Sequence, residues 1–393
     1  MLRSLIPLAG VFLSLTLSAA ALDDAAKSNN AFCFSLLAQK GTAQQNDVFS
    51  PFSIWSALAM TSAGAEAETL DQMQKVLSLP AKGSHDLVSA WSGRLKEAKG
   101  VQMKVANRLW GKKSLPFRAE FLKMTDKQYG AGLEAIDFPG NPDGSRKLIN
   151  RWVSDNTEGK IKDLLGPGTI NGGTQLVLTN AIYFKGEWVV PFKANNTRKR
   201  SFTLATGKKV EPETMSDMFA AGYMESDRMQ AVRLRYQGGQ MAMIVVLPRK
   251  ADALASSSFL NADGFAKVLS AMKDERRVVV QMPKFEASAK LQLSKTLGAL
   301  GMPSAFTDAA QFGGMCENPL KISEVIHQAW VKVEEKGTEA AAATAVTMMR
   351  ATAMPVKEDP PKVFIADHPF LYFVIDDRNG GIVFAGSVVD PTK

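Results

Sequence analysis

Glu335-Lys336-Gly337-Thr338-Glu339-Ala340-Ala341-Ala342-Ala343-Thr344 is the stretch that decides how this chain folds. By intrinsic propensity Glu339 to Ala345 is a good helix, because alanine is the best helix former and four stand in a row. Laid out as a strand, its even positions Thr338, Ala340, Ala342, Thr344, Val346 and Met348 share one face that carries no charge, and Glu339 falls on the other. A strand that must slide into a sheet already formed needs such a face, with small groups first and β-branched ones farther along. It also needs a hinge, and Gly337 reaches backbone dihedrals closed to other residues. An alanine-rich surface helix satisfies most of these features equally well.

The flanks make the stretch unusual. Ile322 to Val333 and Leu371 to Asp376 read as strands, yet residues 337–362 between them offer no aromatic residue and no bulky aliphatic run. A connection that long inside a compact domain is usually functional or disordered. Farther back, Ala25 to Gln39 has helical periodicity with Phe32, Leu36 and Leu37 on one face, and Ser53 to Met60 and Thr69 to Leu79 extend a helical opening. From Val101 to Val105 the pattern alternates like a strand; Glu120 to Tyr129 reads as helix, Leu133 to Phe138 as extended chain and Arg146 to Asn156 as helix. Thr174 to Trp188 is a long apolar run rich in β-branched and aromatic residues, as a central strand requires.

Beyond it β-structure dominates. Ala231 to Tyr236 and Met241 to Leu247 flank the hairpin signal Gln237-Gly238-Gly239-Gln240, and Arg277 to Leu293 continues as strand with an interruption at Pro283. A second hairpin, Leu371 to Asp376 and Ile382 to Val388, closes around Asp377-Arg378-Asn379-Gly380-Gly381. No repeat, heptad run or low-complexity linker divides these segments, so the expected architecture is one mixed α+β domain with early helices covering large sheets.

Composition narrows the function. The 393 residues are 46% hydrophobic, ample for a substantial core. Residues 1–21 read as a signal peptide: Arg3 is the positive start, Leu5 to Leu17 is apolar, and Ser18-Ala19-Ala20-Ala21 offers small residues for cleavage. The mature chain, residues 22–393, is then expected to begin near Leu22 and to be secreted or periplasmic; an uncleaved anchor is the alternative. No later stretch reaches the ~18 apolar residues of a spanning helix, so no membrane partner is expected after cleavage. The net charge of +8 is spread along the chain, and its densest basic stretch, Arg198-Lys199-Arg200 with Lys193, Lys208 and Lys209 nearby, reads as a solvated rim. A polyanion is permitted; no nucleic-acid partner is indicated.

Cys33 and Cys316 lie far apart and a pairing is not required, and neither they nor His85, His327 and His368 stand at metal-ligand spacing, so neither metal nor cofactor is expected. There is no Gly-x-Ser-x-Gly elbow, no His-Glu-x-x-His helix and no phosphate-cradling loop, so an enzyme with its own nucleophile is not expected.

Several motifs, in order, resemble the serpins. They are Phe49-Ser50-Pro51-Phe52-Ser53-Ile54, Asn180-Ala181-Ile182-Tyr183-Phe184-Lys185-Gly186-Glu187-Trp188, Pro283-Lys284-Phe285, the stretch Glu335 to Thr344, His368-Pro369-Phe370-Leu371-Tyr372-Phe373 and Phe384-Ala385-Gly386. The likeness covers essentially everything after the signal segment. It implies a serpin fold of three β-sheets and about nine helices, a native state that is a kinetic trap, and an exposed reactive-centre loop at about 337–362. It implies a monomeric suicide-substrate inhibitor of serine proteases, whose loop is attacked as substrate and then inserts into the central sheet before the acyl-enzyme can be released. A non-inhibitory serpin acting as carrier or chaperone is the alternative, against which the Ala340 to Ala343 run argues.

Position by position, the resemblance makes Glu335, Gly337, Thr338, Glu339, Ala340, Ala341, Ala342, Ala343 and Thr344 the hinge. It makes Ser50, Ser53, Asn180 and His327 the shutter where the sheet parts, and Trp188 the breach residue at its top. Val333-Glu334-Glu335 departs from relatives that carry an Asn beside the glutamates. Counting Thr338 as the fourteenth residue before the cut places the reactive bond at Ala351-Thr352, suited to an elastase-like enzyme. A loop one residue shorter places it at Arg350-Ala351, for a trypsin-like enzyme, and Met349 is the candidate for a chymotrypsin-like one.

Overall fold

A computed structural model of the protein describes residues 19–40, 45–80, 82–130, 132–255, 260–338 and 359–393. The expected signal segment up to residue 18, the expected hinge residues Glu339 to Thr344 and the candidate cleavage positions Met349, Arg350, Ala351 and Thr352 lie outside the described residues. The first half runs α1 (Ala19–Lys40), β1 (Asp47–Phe49), α2 (Pro51–Ser62), α3 (Ala67–Leu77), α4 (Ser84–Lys96), β2 (Val101–Lys112), α5 (Ala119–Tyr129), β3 (Leu133–Ile136), α6 (Pro142–Asn156) and β4 (Leu176–Glu187). Three short strands follow, β5 (Arg198–Lys199), β6 (Phe202–Thr203) and β7 (Lys209–Val210), then β8 (Glu213–Glu225), β9 (Met229–Arg235), β10 (Met241–Pro248) and α7 (Ala262–Ala271). The chain ends with β11 (Lys273–Pro283), β12 (Phe285–Gln292), α8 (Ser294–Leu300), β13 (Ile322–Glu334), β14 (Gly337–Thr338), β15 (Lys362–Ile365), β16 (Phe370–Asp376) and β17 (Gly381–Val388).

These strands make three sheets, covered by eight α-helices among the described residues. The largest runs β1-β17-β16-β10-β9-β8-β11-β15, with β5 beside β8; the second runs β12-β13-β14-β4-β2-β3; β6 and β7 form a two-stranded ribbon. Both expected hairpins form, β9 with β10 and β16 with β17, each antiparallel. One expectation needs correcting. Pro283 does not interrupt a single strand: it ends β11 in the largest sheet, and β12 begins two residues later beside β13 in the other. A residue without a backbone donor suits a point where one ladder stops and another starts.

β4 is as central as its composition requires. All its residues from Leu176 to Phe184 are buried, because both faces are covered. On one side Leu178, Ile182 and Phe184 join the main core with α2, and on the other Val177 and Ala181 join a second core with Ile149 and Val153 of α6. Both covering helices carry proline at their first position behind a side-chain cap: Ser50 accepts from the Ser53 N–H at α2, and Asn141 accepts from the Gly144 N–H at α6. α1 begins at Ala19, so the cleavage point expected before Leu22 falls within it, and the Leu22 carbonyl accepts a bond from Asn379 Nδ2 in the final turn. No helix among the described residues is long and apolar enough to cross a membrane.

Candidate functional site: the seam between β13 and β4

β13 and β4 run parallel and pair from Ile322↔Leu176 to Trp330↔Tyr183. Above Trp330 the ladder divides, and β14 enters between them, antiparallel to both: Val333 pairs with Thr338, and Gly337 pairs with Glu187. Gly337 and Thr338, which lead into the alanine-rich stretch, are therefore strand, and the two flanking sheet edges take up their backbone hydrogen-bonding groups. Gly337 has φ +151°, and a Cβ there would stand 2.1 Å from the Gly186 carbonyl oxygen. Only glycine fits so close to β4 in that conformation.

Thr338, the first residue of the uncharged face, is fully buried, and its hydroxyl shares a 2.7 Å hydrogen bond with the Tyr236 hydroxyl. Burial pushes the Tyr236 phenol well above its usual range, so it stays protonated and available as donor. Trp188 stacks on Tyr236 with ring centroids 4.6 Å apart. Its indole N–H donates to the Glu334 carbonyl and its backbone N–H to the Lys336 carbonyl, so the expected breach residue holds the turn that leads into β14. Beneath that turn Glu335 accepts from Thr197 and pairs with Lys284 at 3.2 Å. Burial raises the Glu335 pKa, but its own backbone N–H, Thr197 and Lys284 outweigh that, and the carboxyl sits below the ordinary range.

Lower on the seam the expected shutter residues do meet. Asn180 on β4 is the register partner of His327 on β13, and Asn107 on β2 is the register partner of Asn180. The three form one row across the sheet, with Ser53 of α2 beside it. Asn180 Nδ2 donates to Ser53 Oγ at 2.6 Å and also to Asn107 Oδ1; the Ser53 hydroxyl donates to Asn107 Oδ1 at 3.0 Å, and Asn107 Nδ2 donates to the Ser53 carbonyl. His327 is fully buried, with Nε2 accepting the Ser50 N–H at 3.0 Å and Nδ1 against Asn180 Oδ1. That pairing assigns the ring proton to Nδ1. Burial, aided by Lys40, lowers the His327 pKa to about 3, so the ring is neutral.

Sequence reasoning misses three partners here: Asn107, Tyr236 and Lys284. A polar residue among Val105, Ala106 and Leu109 is the one local signal for Asn107. On the outer face Trp330 and Tyr183 stack across the seam, and the Lys160 ammonium lies over both rings. Cys33 and Cys316 are both free and buried.

The arrangement is a sheet held shut below by directional bonds and already entered above by the start of a further strand. A family model described as Serpin (serine protease inhibitor) matches residues 27–391. The chain belongs to the serpin family. Serpin B6 of Macaca fascicularis is 37% identical over 94% of this chain and 100% of its own length. The leukocyte elastase inhibitor of Sus scrofa is 36% identical over 88% of this serpin and 93% of its own. Among solved structures, the thermophilic serpin tengpin in its native state matches with a TM-score of 0.84 and 26% identity, covering 95% of each chain. The serpin fold, with its mixed architecture and three sheets, is that of these neighbours.

Proposed function

We propose that this serpin is a suicide-substrate inhibitor of serine proteases. The observation that carries the proposal is β14: Gly337 and Thr338 lie between β13 and β4, with Thr338 fully buried, so the first position of the uncharged face occupies the place a longer inserted strand would fill. In the proposed sequence the protease serine Oγ attacks the carbonyl carbon of Ala351, or of Arg350 or Met349. The C–N bond to the next residue breaks, the new amine takes up a proton, and the serpin remains attached as an ester. Insertion of Glu339 to Val346 and beyond then carries the protease away before water can cleave that ester. The serpin contributes no catalytic group, cofactor or metal to this reaction.

Small Ala351 favours an elastase-like target, in keeping with the inhibitor of that name among its relatives. We further propose that the protein acts as a monomer after export and removal of residues 1–21, outside the cell or in the periplasm. Incubation with elastase, trypsin and chymotrypsin should give a complex that survives SDS, and the mass of the C-terminal peptide released on denaturation at high pH identifies the cut bond. Clipping by every active protease with no complex would sink the proposal in favour of a non-inhibitory carrier or chaperone.

A further inference from the structure

The tripeptide Asn-Gly-Gly occurs twice in the chain, at residues 171–173 and 379–381. In both copies the side chain folds back the same way: Asn171 Oδ1 accepts the Gly173 N–H at 2.9 Å, and Asn379 Oδ1 accepts the Gly381 N–H at 3.0 Å. That bond lays the asparagine amide carbon beside the backbone nitrogen of the middle glycine. Those are the two atoms that must meet if the side-chain amine is to be displaced from within. A glycine leaves the approach open, since no side chain crowds its nitrogen.

The surroundings set the two copies apart. In the final turn the Gly380 N–H donates to the Asp376 carbonyl at 2.8 Å and Asn379 Nδ2 to the Leu22 carbonyl at 3.1 Å, so nucleophile and leaving group are both held. Asn379 and Gly380 are also half-buried. Asn171, Gly172 and Gly173 are exposed, and among the described residues neither the Gly172 N–H nor Asn171 Nδ2 has a hydrogen-bond partner. The turn itself is fixed: the Asn171 N–H donates to Thr174 Oγ1 at 3.0 Å, its carbonyl accepts the Thr174 N–H at 3.1 Å, and Thr174 is only 3% exposed. The reacting atoms are therefore positioned but not restrained.

We propose that Asn171 is a site of spontaneous modification, which turns to isoaspartate and aspartate in the native protein and loosens the foot of the seam. The Gly172 nitrogen gives its proton to hydroxide and bonds to Asn171 Cγ; the Cγ–Nδ2 bond breaks, and the amine takes a proton from water and leaves as ammonia. Water then opens the cyclic imide. Cleavage between Cγ and the Gly172 nitrogen gives aspartate, and cleavage between the main-chain carbonyl carbon and that nitrogen gives isoaspartate. Isoaspartate adds one carbon to the main chain just ahead of β4. There Gln175 donates its N–H to Ser323 Oγ and accepts the Lys112 N–H on its carbonyl and the Lys321 N–H on its side chain, so the added length falls where β4 is tied to β13 and β2. The site does not depend on the inhibitory reading.

The intact protein is held at mildly alkaline pH, folded or in urea, and peptides spanning the two copies are followed by mass spectrometry with isoaspartyl methyltransferase labelling. Asn171 should convert at least as fast in the folded protein as in urea, and Asn379 many-fold more slowly when folded. Slower conversion of Asn171 when folded, or equal rates at the two copies in the folded protein, would overturn the proposal. A Cβ at Gly172 meets nothing within 4 Å, and its φ lies outside the left-handed region, so Gly172→Ala should fold and convert several-fold more slowly. An unchanged rate in that variant would show that the Gly172 nitrogen is not the nucleophile. The isolated isoaspartate form should melt below Asn171→Asp, which carries the charge without the extra carbon; equal midpoints would refute the loosening of the seam.

Discussion

Trp330 and Tyr183 are the last register partners before β14 enters, and their rings stack across the seam with centroids 6.4 Å apart. Lys160 lies 5.2 Å from the first ring and 5.9 Å from the second, so one cation bridges the two strands that insertion would separate by about a further strand spacing, ~5 Å. A cation over the half-buried Trp330 ring and the buried Tyr183 ring contributes about 0.5–1 kcal/mol or somewhat more. Lys160→Met, which keeps the length of the side chain, should therefore speed insertion of a cleaved loop about two- to five-fold. Stopped-flow fluorescence after cleavage reads the rate, and an unchanged or slower rate would show that the contact does not restrain the seam.

Gly337 tests whether entry of the strand depends on backbone geometry. With φ +151° and a carbonyl 2.1 Å from the Cβ position, Gly337→Ala forces β14 away from β4. The buried hydrogen bond between Thr338 and Tyr236 should be lost with it. Trp188 stacks on Tyr236, so the displacement should change tryptophan emission, and the yield of covalent complex should fall several-fold. Full complex yield with unaltered emission would contradict this account.

Much of this site was legible because its residues sit in contiguous motifs. Ser50 and Ser53 lie in the stretch Phe49 to Ile54, and Asn180 and Trp188 in the stretch Asn180 to Trp188, so their resemblance to the family's motifs marks them, whereas Gly337 before an uncharged alternation is marked by local chemistry. What stayed hidden depends on register between distant strands. That Asn107 faces Asn180 follows from the pairing of β2 with β4, and that Tyr236 meets Thr338 follows from one sheet packing on another. Neither relation leaves a trace in either segment alone. The change of sheet at Pro283 is hidden for the same reason: alternation tells a strand's faces apart but does not name its neighbour.

Thr338 tests the uncharged face directly. Its side chain is fully buried against the equally buried Tyr236, so a guanidinium there would be taken out of water. Uncompensated burial of a charge costs several kcal/mol, so Thr338→Arg should turn the inhibitor into a substrate, cleaved at the same bond without complex. Ala340→Pro should do the same by removing a ladder donor. Cleavage assays on denaturing gels separate the two fates, and undiminished complex formation by both variants would refute insertion.

His327 gives the seam a predictable dependence on pH. Its pKa falls from the ordinary 6.5 to about 3 in the folded protein, chiefly through burial, so between those values the unfolded chain holds the proton and the native one does not. Stability from this group is fully present above pH 6.5 and is lost as pH falls through the window toward 3. Between pH 7.5 and pH 5, before most carboxylates titrate, the loss approaches about 2 kcal/mol for one such group. His327→Gln keeps an acceptor for the Ser50 N–H and a donor for Asn180 but cannot take up a proton, so its denaturation midpoint should vary less over this range than that of the parent. Equal pH slopes for the two proteins would mean that the seam does not sense protons through His327.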